Sequence, residues 1–148
     1  MVKSRSVVQV KEMKRFLRVL PAIMVLVAAA PAQAHEWVDY FSYGEAALSP
    51  RGYQTAREVA DYSKRRSVTC LQVVAHMDTM ETHDFSTGLS QRRAQAMATE
   101  LVLLEVDPAM IELDARGAEH LARPTGDRVS EPLNRRVLVN ILSRPCAR

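Results

Sequence analysis

The stretch that most narrows the choice of fold is residues 68–94. Residues 68–75 form a nearly continuous apolar run that includes Val68, Leu71, Val73 and Val74. A run of that length and β-branched content reads as a strand buried on both faces and flanked by helices. It delivers the chain to Asp78 and a polar loop over residues 76–88. A helix is then predicted from Leu89-Ser90 to about residue 104, with Ala94, Met97, Leu101 and Leu104 on one stripe. Ser90 is the expected N-cap. Three residues after such a cap Glu or Gln is favoured, and the positive end of a helix disfavours cations. Arg92 and Arg93 stand there instead. A local rule broken at a strand-to-helix turn is what a functional site produces; the bland reading is a pair of solvated surface charges. An acid at the end of a strand and an arginine pair at the start of the next helix would share one crevice, suited to a small zwitterion.

The 148 residues allow one domain. Residues 1–34 read as a leader. Lys14, Arg15 and Arg18 precede the apolar residues 19–30, and Ala32-Gln33-Ala34 is the small-x-small pattern of a signal peptidase site. The expected start is Met13 and the expected cleavage follows Ala34. No cysteine stands at that junction, so a lipoprotein-type anchor is not expected. The apolar run is shorter than the roughly 20 residues of a membrane helix. Six of the 20 basic residues and one of the 17 acidic residues lie in the leader, leaving 14 and 16, a formal net of −2 for residues 35–148. The +3 of the whole chain therefore belongs to the leader, and no basic face for nucleic acid is expected. The remaining 114 residues suffice for one core without staples. Cys70 and Cys146 would both be exported to a compartment that permits disulfides.

Taken in order, residues 35–39 read as an amphipathic lead-in and residues 40–43 as an aromatic strand ended by Gly44. Trp37 and these aromatics are expected to pack rather than to form a stacking platform. Ser49-Pro50 is a helix start, with Ser as cap and Pro at the first helical position. That helix is predicted to about Lys64, with Tyr53, Ala56, Val59, Ala60 and Ser63 on its apolar face, and Lys64-Arg65-Arg66 suits its C-terminal end. After the central strand and second helix, residues 111–115 alternate as a strand with one solvated face. Residues 119–132, with Pro124, Gly126 and Pro132, form a long loop, and residues 136–142 a last strand. The sum is α+β or α/β, two helices on a four-stranded sheet.

These segments resemble the peptidoglycan-binding domain found at the C-terminus of OmpA and MotB and in the lipoprotein Pal. The family's pattern of G-H-T-D, N-x-x-L-S-x-x-R-A, G-x-G-E and N-R-R-V is met by Ala75-His76-Met77-Asp78, by residues 86–94 ending Leu89-Ser90-Gln91-Arg92-Arg93-Ala94, by Gly117-Ala118-Glu119, and by Asn134-Arg135-Arg136-Val137. Leu48-Ser49-Pro50 also matches the family's first helix start, and the likeness covers about residues 38–142. It implies an α+β fold, a βαβαββ sandwich whose mixed sheet runs 1-4-2-3, with the last strand antiparallel to its neighbours and two main helices on one face. That order brings Cys70 and Cys146 together, so the resemblance predicts a disulfide between them.

In similar domains the ligand is the meso-diaminopimelate of the peptidoglycan stem peptide. The family's aspartate pairs with its ammonium and the family's arginine takes its carboxylate. Carried across, these are Asp78 and Arg93, fifteen positions apart. A carboxylate only accepts and suits an ammonium, while the guanidinium fork binds a carboxylate bidentately in a way Lys cannot. Ser86, Leu89 and Ser90 are the further positions expected around the ligand, with Arg135 at the rim and backbone N–H groups of the helix start as added donors. The chain departs from the pattern at Ser42, Ala75, Met77, Glu81 and Ser86, where the family has an acid, Gly, Thr, Gly and Asn. The resemblance therefore implies a non-enzymatic, peptidoglycan-associated periplasmic binder of the cell wall, reaching the outer membrane only through a partner and needing no cofactor. An alternative is the fold kept as a structural module for an envelope protein partner. A zinc site from His76, Asp78, His83 and Asp84 matches no standard ligand spacing, and Ser86 and Ser90 have no base-and-orienter arrangement for nucleophilic catalysis.

Overall fold

The computed structural model describes residues 35–147 apart from Thr87; the expected leader lies outside the described residues. The chain forms β1 (Glu36–Tyr40), α1 (Pro50–Arg66), β2 (Cys70–His76), α2 (Thr79–Asp84), α3 (Gly88–Leu103), β3 (Ile111–Gly117) and β4 (Arg136–Leu142). Short 3-10 turns at Pro108–Met110 and Pro132–Asn134 precede β3 and β4. The sheet order is β1-β4-β2-β3, with β2 and β3 parallel and β4 antiparallel to both β1 and β2, as expected from the resemblance.

Local chemistry explains most of the boundaries. Ser49 caps α1, its hydroxyl accepting from the Gly52 N–H at 2.9 Å, and Pro50 takes the first helical position. Ser67 closes the helix in the left-handed region at φ 49°, beside the basic last turn. Leu71, Val73 and Ala75 of β2 and Val137 and Val139 of β4 share one sheet face and pack against Ala56, Val59 and Ala60 of α1 and Ala94, Met97 and Leu101 of α3. The expected stripe on α3 is the core stripe through Leu101; Leu104 lies past the helix end, half-buried against the same core. On α1, Tyr53 is a correction: it is 41% exposed, and the buried face is made by Ala56, Val59, Ala60 and Ser63.

Three further expectations are revised. The first strand begins and ends earlier than residues 40–43, because its partners are residues 136–140 of β4; beyond it, Phe41 continues the pairing with one bond to the Arg135 carbonyl. The second face of β2 is closed without helices. Cys70 is buried by its disulfide to Cys146, with Cα atoms 5.1 Å apart, and His76 is covered by the loop whose Glu119 carbonyl accepts from its ring. Residues 79–84 are not loop but α2, and α3 begins at Gly88, so Ser90 lies within that helix, fully buried, rather than capping it.

Candidate functional site

Asp78 leaves β2 and at once caps α2. Its Oδ1 accepts the Glu81 N–H at 2.7 Å. Its Oδ2 accepts from Arg135 Nη1 at 2.8 Å and from the Glu131 N–H at 3.0 Å. Asp78 is fully buried. Arg135 also donates Nε–H to the Phe41 carbonyl at 3.1 Å and Nη1–H to Ser130 Oγ at 3.0 Å, tying β4, the 119–132 loop and the end of β1 to one carboxylate. Arg135 is therefore an inner partner of Asp78, not a rim residue.

Arg93 lies one turn into α3 and has no exposed surface. Its guanidinium sits over the Phe41 ring, 4.8 Å from the centroid. Nη1 and Nη2 meet the two oxygens of Glu81, each at 2.7 Å, in a bidentate fork. Nη1 also donates to the His76 carbonyl at 3.0 Å, Nη2 to the Ser42 carbonyl at 3.3 Å, and Nε to the Glu45 carbonyl at 2.8 Å. An arginine has five N–H donors, and all five are used within the fold. Arg92, its neighbour, is exposed. The broken cap rule thus has a physical origin: the chain spends Arg93 in the interior, where Glu81 compensates it.

Glu81 is the residue that sequence reasoning noted only as a departure. It is fully buried, and its Oε1 also accepts the Gly44 N–H at 2.8 Å. Gly44 has φ +70°, and a Cβ there would lie 2.8 Å from the Phe85 ring, so only glycine brings this N–H to the carboxylate unstrained. One residue therefore bridges both expected charges: Glu81 offers its N–H to Asp78 and its carboxylate to Arg93. The available signal was Asp78-Thr79-Met80-Glu81, an N-cap residue followed three positions later by Glu, the mark of a helix start.

The other expected site residues separate. Leu89 and Ser90 are buried, while Ser86 is exposed and gives its carbonyl to the Leu89 N–H at 3.1 Å. A cavity of about 250 Å³ beside α2 is lined by Thr79, Thr82, His83, Ala118, Asp127 and Arg128, not by Asp78 or Arg93. The zinc set does not assemble. His76 Nδ1 faces the Glu119 carbonyl at 2.9 Å and so carries the proton, and Asp78 is consumed as described. His83 pairs with Asp84 at 2.6 Å on the surface. Asp84 also accepts the Tyr43 hydroxyl, which pushes the Tyr43 pKa up to about 12. Among the described residues the one group with convergent ligand atoms is Cys70, Glu112 and Cys146, whose sulfurs form the disulfide.

A model of the OmpA family matches residues 40–135. The chain belongs to the OmpA family. Among the OmpA-family relatives, a peptidoglycan-associated lipoprotein of Pseudomonas aeruginosa is 33% identical over 98 residues, covering 66% of this chain and 58% of that protein. An outer membrane protein of Gluconacetobacter diazotrophicus is 31% identical over 114 residues, covering 73% of this chain and 30% of that protein. The match thus spans less than two thirds of either relative. The fold is shared with the OmpA-like domain of FopA1 from Francisella tularensis, at TM-score 0.64 and 22% identity over 72% of this chain and 70% of that one. It is shared equally with the peptidoglycan-associated lipoprotein of Burkholderia pseudomallei, at TM-score 0.61 and 24% identity over 70% of this chain and 87% of that one.

Proposed function

We propose that this OmpA-family chain is a non-catalytic periplasmic protein that associates with peptidoglycan, and that Asp78 and Arg93 form the subsite for the meso-diaminopimelate of the stem peptide. Membership of the family and the likeness to peptidoglycan-associated lipoproteins support the partner. The geometry supports the subsite through a single observation: one amino-acid unit, Glu81, already spans the two charges, giving an N–H to Asp78 and a carboxylate to Arg93. A zwitterion with an ammonium and a carboxylate at similar separation is complementary to the same pair. Each charge-assisted bond is worth about 1.5–3 kcal/mol. An incoming carboxylate has to displace the Glu81 carboxylate from Arg93, so only part of that worth appears as net affinity and binding is weak.

The test is on the ligand side, since both protein groups are buried. Calorimetric titration with a stem peptide containing diaminopimelate should give at least about tenfold tighter binding than the same peptide containing lysine, which lacks the second carboxylate; tenfold is about 1.4 kcal/mol. Equal affinities would remove diaminopimelate as the recognised group.

A second reading is favoured by the complete use of the Arg93 donors: a closed module that serves an envelope protein partner. It is distinguished by purified sacculi, which retain the protein under the first reading and release it under the second.

A further inference from the structure

Arg93 and the Gly44 N–H together make a carboxylate receptor. A guanidinium fork supplies two parallel donors and a backbone N–H a third, all converging on one carboxylate, in a position without solvent exposure. The occupant is the chain's own Glu81. What holds it there is α2, a six-residue helix pinned at both ends. Asp78 caps its start, and the Phe85 N–H closes its end on the Glu81 carbonyl at 2.7 Å. The Tyr43 hydroxyl bonds Asp84, and the Phe85 ring packs edge-on against Tyr43 with centroids 5.5 Å apart. The loop after β1 thus grips the same short helix that delivers Glu81.

Such a helix is too short to hold itself together. Its hold on the fold comes from the side chains just named, several of them at the surface, and from bonds of Thr79 and Met80 to Gly126 and Val129 of the 119–132 loop. The receptor behind it is built from the rigid parts: α3 carries Arg93, and the carbonyls of Ser42, Glu45 and His76 fix the guanidinium independently of Glu81. Shortening residue 81 therefore leaves an oriented, buried guanidinium with its fork empty.

We infer that Glu81 is an internal ligand that keeps the Asp78–Arg93 site closed, and that free carboxylates enter the receptor once this side chain is shortened. The inference deepens the proposed function by naming the residue that regulates access to the site, and the stem-peptide part of its test rests on that reading. The receptor itself does not.

The experiment compares the wild-type protein with Glu81→Gly and Glu81→Ser. Thermal unfolding is followed in sodium acetate and in sodium chloride at equal ionic strength. Acetate at ten times its dissociation constant should raise the Tm of both variants by roughly 5 °C over chloride and leave the wild type unchanged. If a variant is unfolded in chloride, the readout is the acetate-dependent return of its far-ultraviolet circular dichroism. Acetate and chloride acting alike on both variants would overturn the inference. In the second arm, a diaminopimelate stem peptide should bind Glu81→Gly at least about tenfold more tightly than wild type, the gain of one charge-assisted bond. Equal binding by both proteins would overturn the inference and leave the proposed function standing. Rescue by acetate with no peptide binding by either protein would uphold the inference and overturn the diaminopimelate reading.

Discussion

With all five donors of Arg93 used inside the fold, its substitution is first an event of stability and only then of binding. Arg93→Ala leaves the Glu81 carboxylate buried and unpaired, and breaking a buried pair from one side costs about 3–5 kcal/mol. Removing Glu81 as well should restore part of that loss. A denaturant-based double-mutant cycle is expected to give a coupling of roughly 2 kcal/mol; additive losses would show that the two side chains do not interact. A second residue-scale prediction concerns His76, whose imidazole is held down to about 4, chiefly because burial disfavours its charged form and next because of the Arg136 charge. The unfolded chain takes up this proton at its ordinary value of 6.5, so between pH 6.5 and about 4 the unfolded state binds more protons. Stability from this group is therefore flat above that window, falls as pH drops through it, and levels below it. The loss is at most about 3 kcal/mol, and His76→Gln should flatten it in denaturation curves at pH 7 and pH 5. The exposed carboxylates of Asp84 and Glu105 and the half-buried one of Glu112 are held below their ordinary values by Tyr43, Lys64 and Arg144 respectively, so their contributions are lost only at lower pH.

Among the elements, α2 decides how the site is read. Its six residues carry no apolar repeat, and burial falls on Glu81 alone, so hydrophobic periodicity passes over it. Asp78 and Arg93 were legible from motif spacing because each stands at the end of a long, strongly patterned element. The partner that joins them was not, since its pairing depends on a helix too short to leave a signal. The same logic explains β1: Tyr40, Phe41 and Tyr43 are the strongest β-formers locally, yet pairing with β4 selects residues 36–40. The central strand, both long helices and the last strand followed their patterns to within a few residues. Gly44→Ala tests the element-level account. A side chain at φ +70° pressed against Phe85 should cost at least about 1 kcal/mol, and amide exchange in α2 should accelerate before that in α1 or α3.

For the whole molecule, two long-range ties close what the sheet leaves open. The Cys70–Cys146 disulfide spans 76 positions and anchors the C-terminal segment over the second face of β2. On the chain-entropy account a loop of that length contributes up to about 4.5 kcal/mol, so unfolding free energies from denaturant titrations with and without reductant should differ by most of that amount. The other tie is the buried network from β1 through α2 to α3 and β4, in which Asp78 pairs with Arg135 and Glu81 with Arg93. It makes the expected binding charges part of the interior. Nuclear magnetic resonance of the arginine side chains reports on this most directly, with exposed Arg92 on the same helix as the internal standard. Slowly exchanging, resolved Arg93 Nε–H and Nη–H signals at neutral pH are the predicted result, with only the two Nη–H protons that face Glu81 exchanging faster in Glu81→Gly. Arg93 signals that exchange as fast as those of Arg92 in the wild type would contradict the account.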